Sequence, residues 1–231
     1  MDLNKLELGI EYTFANKDYL NEAVTHRSYL NEHHGWNYPH NERMEFLGDA
    51  VLELAVTEEL FNRYSKEAEG WMTSVRAALV NYMMLAEVAK EINLEEYLLM
   101  SRGEKKDSGR GRDVILANAM ESLIGAIYQD GGFVPTKKFI NKFVLAHLDE
   151  VISKNLFIDA KSQLQEKVQA SLKLTPHYNT IEEDGPDHEK IFTVGVYFGD
   201  KLIATGQGQA KQDAEVEAAK AALEIIENQH W

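Results

Sequence analysis

The stretch Asn41-Glu-Arg-Met-Glu-Phe-Leu-Gly-Asp-Ala-Val-Leu-Glu-Leu54 decides how the chain is read. Set on a helix at about 100° per residue, Glu42, Glu45, Asp49 and Glu53 fall within one arc of ~80°. Nearly everything else there, apart from Arg43 and Gly48, is apolar. A helix apolar on almost every side is buried, so its acids are expected to face an internal groove or a partner. The plainer account is a solvated acidic face. Glu45 and Asp49, at i and i+4, are near enough to repel. In a poorly solvated site such a pair needs a cation, or one carboxylate must hold a proton.

A second segment repeats the pattern. In Val114-Ile-Leu-Ala-Asn-Ala-Met-Glu-Ser-Leu-Ile-Gly-Ala-Ile-Tyr128 the strongly polar side chains are Asn118, Glu121 and Ser122. Asn118 and Glu121 are three apart and share a face. Alone, this would read equally well as a buried Asn–Glu hydrogen bond. Facing the first helix, it would gather Glu45, Asp49, Asn118 and Glu121 into an all-oxygen cluster. Such donors suit Mg²⁺ or Mn²⁺. A di-iron carboxylate bundle needs Glu-x-x-His on two helices; the one such pair, Glu227 and His230, lies in the terminal tail. No G-x-S-x-G elbow occurs, and His33, His34 and His40 read as solvated loop residues.

The 231 residues contain no cysteine, which removes disulfides, thiolate zinc sites and a cysteine nucleophile. No apolar run approaches the ~20 residues of a membrane span, and Met1 to Ile10 does not read as a secretory signal. A cytoplasmic protein with no membrane contact is expected. The charge is strongly acidic, 24 Lys and Arg against 38 Asp and Glu, for a net of −14. That argues against a partner of like charge, since nucleic acid is usually met by a basic surface.

Periodicity divides the chain. Helices are expected at 17–31, 41–64, 73–91, 113–130 and 135–153. From about 160 the pattern changes. A helix over 160–173 places Leu164, Val168 and Leu172 at i, i+4 and i+8. Strands follow at 177–181, at 192–198 with alternating Phe192, Val194, Val196 and Phe198, and at 201–206. A helix over 210–228 presents Ala214, Ala218, Ala222 and Ile225 on one face. The expected class is α+β: an all-α domain over 1–152, a short linker over 153–159, and an α-β-β-β-α domain over 160–231.

Residues 41–52 closely resemble the signature of the ribonuclease III family. Thr25-His-Arg-Ser-Tyr29, Glu69-Gly-Trp-Met72 and Ile115–Tyr128 are similar to its flanking blocks. Residues 160–231 resemble a double-stranded-RNA-binding domain, with Ser162-Gln-Leu-Gln-Glu166 and Gly206-Gln-Gly-Gln-Ala-Lys211 at the matching places. The resemblance covers essentially the whole chain. It implies a homodimeric, Mg²⁺-dependent endonuclease, for which Mn²⁺ can substitute, that cuts double-stranded RNA. The products carry 5′-phosphate and 3′-hydroxyl ends with short 3′ overhangs, and precursors of ribosomal, messenger and transfer RNA are the implied substrates.

By the same resemblance Glu45, Asn118 and Glu121 hold metal, and Asp49 and Glu121 stand at the catalytic positions. Glu42 and Glu69 are supporting acids, and Phe46 enters a socket on a second subunit. Ser162, Gln165, Glu166 and Gln169 on the first helix of the RNA-binding domain, His188 in the 185–188 loop, and Lys211 at the start of the last helix are the implied RNA contacts. This chain departs from the family in carrying Asn118 where Asp is common, and Gln212 after Lys211 where a second lysine is usual. Glu182, Glu183, Asp184, Asp187 and Glu189 crowd the expected second loop. The Gly-rich segment 102–112 is the most basic stretch; Arg102, Lys105, Lys106, Arg110 and Arg112 are expected to meet phosphate, or simply to be solvated. Two rival roles stand beside catalysis: an RNA-holding module that does not cut, and a protein scaffold.

Overall fold

A computed structural model describes residues 2–106, 108–157, 159–186 and 190–229, and divides the chain into compact units over 1–157 and 158–231. The first unit is helical. It begins with α1 (Leu3–Ile10), α2 (Lys17–Ala23), α3 (Arg27–Glu32), α4 (Glu42–Arg63), α5 (Glu69–Val80) and α6 (Tyr82–Glu91). α7 (Arg110–Gly131), α8 (Phe133–Phe143) and α9 (Leu148–Ser153) complete it. Short 3₁₀ turns lie at Leu94–Tyr97, Glu104–Lys106 and Leu145–His147.

α7 is the centre of this unit. Leu116, Met120, Leu123, Ile124 and Ile127 are all fully enclosed, and Leu52, Val56 and Leu60 of α4 pack in the same core. The two helices meet with almost no side chain between them. A Cβ on Gly48 would collide with the Glu121 carbonyl oxygen, and one on Gly125 with the Met44 carbonyl oxygen. Only glycine permits so close a backbone approach. Acidic Glu42 and Glu45 in the first turn of α4, and Arg63 in its last, also match the helix dipole.

Three expected helices are broken. The 17–31 span divides because Val24 and His26 leave the helix to bond Leu99: the Leu99 N–H donates to Val24 O (2.8 Å) and the His26 N–H to Leu99 O (2.9 Å). This makes a parallel bridge between Thr25 and Leu99, and the His26 ring then caps α3 through Ser28 N (3.3 Å). The 73–91 span breaks at Asn81, which is extended and caps α6 by accepting from Met84 N (3.0 Å). The 135–153 span is interrupted by the turn at Leu145–His147. α1 is an addition. Its buried Glu7 accepts from Phe14 N (2.7 Å) and pairs with Lys17. After α9, the Leu156 N–H donates to Val151 O (2.9 Å) and Phe157 meets Trp71 edge-on, ring centroids 5.5 Å apart.

The second unit contains α10 (Ala160–Leu172), β1 (His177–Asp184), β2 (Ile191–Phe198), β3 (Lys201–Gly208) and α11 (Lys211–Gln229). The strands form an antiparallel sheet in the order β1-β2-β3, with register shifts at Thr180/Glu182 and Val196/Tyr197. Leu164 and Val168 of α10, Val196 and Phe198 of β2, and Ala218 and Ala222 of α11 form its core. Small residues let α11 lie close on the sheet: a Cβ on Gly206 would strike the backbone of Ala214 and Ala218. Leu172, expected to join this core, is 38% exposed at the end of α10. β1 runs past Ile181, so Glu182, Glu183 and Asp184 are strand residues paired with Thr193, Phe192 and Ile191, not loop residues. Helices packed on one side of a three-stranded sheet, after an all-helical unit, make the chain α+β as expected.

Candidate active site

The Gly48–Gly125 crossing fixes what stands beside it. Glu45 and Asp49 flank Gly48 on α4, and Asn118 and Glu121 lie on the turn of α7 against which Gly48 packs. The structure therefore brings these four together from two helices. Buried polar groups lock the frame. The Asn41 carbonyl accepts from both Glu45 N (2.9 Å) and Ser122 Oγ (3.2 Å), and Ser122 Oγ also reaches Asn118 O (2.8 Å). The Asn41 N–H donates to Thr25 O (2.9 Å) and its amide to Ala23 O (3.3 Å). Asn41, Ser122 and the two glycines are the residues that sequence reasoning missed as positioning elements. The signal for the two glycines was a glycine isolated within a helical run.

The electrostatics follow from this crowding. Burial, then the charges of Asp49 and Glu45, push the Glu121 carboxyl up to about 8. Glu45 is raised by burial and by Glu42 and Asp49, while a hydrogen bond from the Asn118 amide pulls it back. Asp49 itself is exposed. Among the described residues no three His, Cys, Asp or Glu side chains already form a metal-holding group. The four residues are thus three carboxylates and one neutral amide held by backbone, not a closed cage. A cluster that favours protons over bare charge also favours a hard cation, and its donors are all oxygen. The residues fit a divalent ion of the Mg²⁺ class.

The supporting acids separate. Glu42 stands at the edge of the cluster, exposed, 3.5 Å from the Arg27 guanidinium and 3.8 Å from His40 Nδ1. Glu69 opens α5, accepts from Thr73 Oγ1 (3.0 Å), and lines a groove with Thr57, Phe61 and Arg76. Thr57 is eight residues beyond Asp49, or about 12 Å along α4, so Glu69 is not brought to the cluster within this chain. α4 is also not buried all round: Phe46 is 81% exposed, Leu54 58% and Phe61 68%. Period alone cannot tell a covered apolar face from an uncovered one. Phe46 projects beside a cavity of about 630 Å³ that it lines together with Tyr19, Glu22, His40 and Leu47.

In the 102–112 segment Arg112 is committed to the fold, donating to Glu95 through Nε (2.8 Å) and pairing with it through Nη2 (2.7 Å). Arg110 lies over the Tyr82 ring. In the second unit Ser162, Gln165, Glu166 and Gln169 share the exposed face of α10. The Ser162 hydroxyl is already used, donating to Asp159 (2.7 Å) in the helix cap. His188, with Asp187 and Glu189, lies outside the described residues. Lys211 is paired: its Nζ is 2.7 Å from Glu183, which also holds Lys190 at 2.9 Å, and both ammonium groups lie over the Phe192 ring. The two lysines hold the Glu183 carboxyl down at about 2.

Comparison with known proteins agrees with this division. Residues 16–148 match the Ribonuclease-III-like family model and residues 160–226 the double-stranded RNA binding motif. Ribonuclease 3 of Borreliella burgdorferi is 40% identical over 98% of this chain and 92% of its own length. Ribonuclease 3 of Carboxydothermus hydrogenoformans is 43% identical over 99% and 97%. Among solved structures, the nuclease domain of ribonuclease III from Campylobacter jejuni superposes with a TM-score of 0.57 at 39% identity, covering 63% of this chain and 97% of that one. No helix among the described residues is long and apolar enough to cross a membrane.

Proposed function

Since the chain belongs to the ribonuclease III family and carries its RNA-binding motif, we propose that it cuts double-stranded RNA at the α4–α7 cluster, with Glu45, Asn118 and Glu121 holding Mg²⁺ or Mn²⁺. The reading is supported most by one observation: two helices with backbones in contact at Gly48 and Gly125 gather acids from separate segments, where burial first, and then the charges of Asp49 and Glu45, push Glu121 up to about 8. When bound, the ion supplies Lewis-acid activation of water and relief of phosphate charge. Glu45 and Glu121 give carboxylate oxygens to it and Asn118 gives its amide oxygen. Asp49, exposed at the edge, accepts a hydrogen bond from the attacking water and orients it toward phosphorus. Glu42, steadied by Arg27, supports the outer rim. Without the ion the cluster repels phosphate, so docking and chemistry share one requirement.

The products are taken to carry 5′-phosphate and 3′-hydroxyl ends with short 3′ overhangs, and the substrates to include ribosomal, messenger and transfer RNA precursors in the cytoplasm. The working form is a homodimer in which Phe46 enters a partner's socket and Glu69 supports from outside the single-chain cluster. Its exposure supports that role; the Campylobacter jejuni nuclease domain is described by a region involved in dimer formation. Residues 1–152 are assigned to the nuclease, 153–159 to the linker and 160–231 to RNA binding. There Gln165, Glu166 and Gln169 meet the minor groove, with Ser162 and His188 beside them, and Lys211 faces phosphate at the start of α11.

Labelled duplex incubated with Mg²⁺ tests this. Internal fragments with 5′-phosphate ends are expected, and Glu121→Gln is expected to abolish cutting while still retarding duplex on a gel. A duplex retarded but never shortened by the unaltered chain would replace catalysis with holding; no retardation at low salt would leave a scaffold.

A further inference from the structure

α3 begins at Arg27, which reaches Glu42, and runs six residues, about 9 Å. At its far end a cavity of about 620 Å³ is lined by Tyr29, Glu32, His33, Met100, Arg102 and Lys105. That volume is in the range of small-ligand sites. The His33 ring stacks on Tyr29 with centroids 3.8 Å apart and planes 14° from parallel. Its Nδ1 bonds the Tyr29 carbonyl (3.0 Å), which fixes the ring's orientation. Tyr29 is braced in turn by Trp36, edge-on at 5.4 Å. His33 is nonetheless exposed, so an aromatic face already oriented is offered to solvent. Two cations, Arg102 and Lys105, line the same cavity from a separate segment. Glu32 lines the cavity as well: its carboxylate accepts from the Arg102 N–H at 3.3 Å, which ties α3 to that segment, and its negative charge leaves one net positive charge among Glu32, Arg102 and Lys105.

A flat aromatic shelf in one cavity with a pair of cations matches one base and one phosphate. In a duplex both faces of a base are covered by its neighbours, so only a base outside the stack can use the shelf. We propose that this cavity takes a single unpaired nucleotide of the RNA, its base on the Tyr29–His33 shelf and its phosphate toward Arg102 and Lys105. It would thereby favour duplexes interrupted near the cut. The proposal rests on the RNA-cleaving function above.

The test uses the full-length protein and duplexes bearing one bulged 2-aminopurine one to three positions from the cleavage site, beside a fully paired control. At one placement the wild type should quench the fluorophore and bind about tenfold more tightly than it binds the control, the usual worth of one stacked base. His33→Ala should lose both effects and leave the paired duplex bound and cut as before; His33→Phe, which keeps an aromatic face, should restore them. Cleavage of the paired duplex is scored in parallel. Its absence in the wild type overturns the assigned activity and this proposal with it, whereas intact cleavage with no preference for any bulge overturns the proposal alone. Quenching of free 2-aminopurine nucleotide without a gain for bulged RNA would assign the cavity to a free nucleotide and overturn the RNA assignment.

Discussion

Gly48 and Gly125 face each other where α4 crosses α7: a Cβ on Gly125 would stand 3.1 Å from the Gly48 amide nitrogen and collide with the Met44 carbonyl oxygen. The positions of the acids depend on this absence of side chains. Gly48→Ala or Gly125→Ala must push the helices apart. Overpacking of this kind costs about 1–3 kcal/mol or more, so a melting point lower by roughly 3 °C or more is expected. Cleavage should fall further than stability explains, because Glu45 and Glu121 move with their helices. An alanine variant with unchanged melting point and rate would show that the crossing is slack.

Glu121 ties stability to pH in the metal-free protein. Its ordinary value is 4.5 and the folded environment raises it to about 8. Between those limits the folded chain holds a proton that the unfolded chain has lost, so stability falls as pH rises from 4.5 to 8. Glu121→Gln removes the charge and should raise the melting point at pH 8 in chelator by about 3 °C or more, the gain vanishing toward pH 4.5. Differential scanning calorimetry across that range checks it; parallel curves for both proteins would contradict the burial argument. Added Mg²⁺ should stabilise the wild type more than the variant.

Asn118 sits beside Glu45 and donates to it. Asn118→Asp adds a charge to the donor set and removes that hydrogen bond. The Mg²⁺ concentration for half-maximal cleavage should fall, on the order of tenfold, while the metal-free protein melts lower. A half-saturation that stays the same or rises would count against Asn118 as a ligand.

Lys211 reaches phosphate only by leaving Glu183. Glu183→Gln should therefore tighten duplex binding severalfold at low salt and steepen the dependence of log affinity on log salt by about one unit. Filter binding from 50 to 300 mM salt gives the answer. Weaker binding would mean that Glu183 aims the lysine and does not withhold it.

Much of this was legible beforehand. The acidic arc on 42–53 and the Asn118–Glu121 pair could be read because helical period alone decides which residues share a face. The alternating Val194, Val196 and Phe198 announced their strand in the same way. The breaks at Thr25 and Asn81 were not legible, because they are set by partners far along the chain or by a cap that competes with a continuing helix. Nor was the pairing of Glu183 with Lys211: a strand longer than its apolar pattern carries an acid to the start of a helix 28 positions away. The burial of α4 was overread, since apolar residues such as Phe46 and Phe61 mark a face that wants cover without saying whether this chain supplies it.

The bridge between Thr25 and Leu99 leaves the Arg102–Lys105 wall rooted three residues from Leu99, while Thr25 also anchors Asn41, where α4 starts. That wall is therefore joined, through the bridge, to a residue one hydrogen bond from the acid-bearing helix. If that wall grips phosphate as proposed, grip and cut share one pivot, and a substitution that loosens the Thr25–Leu99 bridge should disturb both.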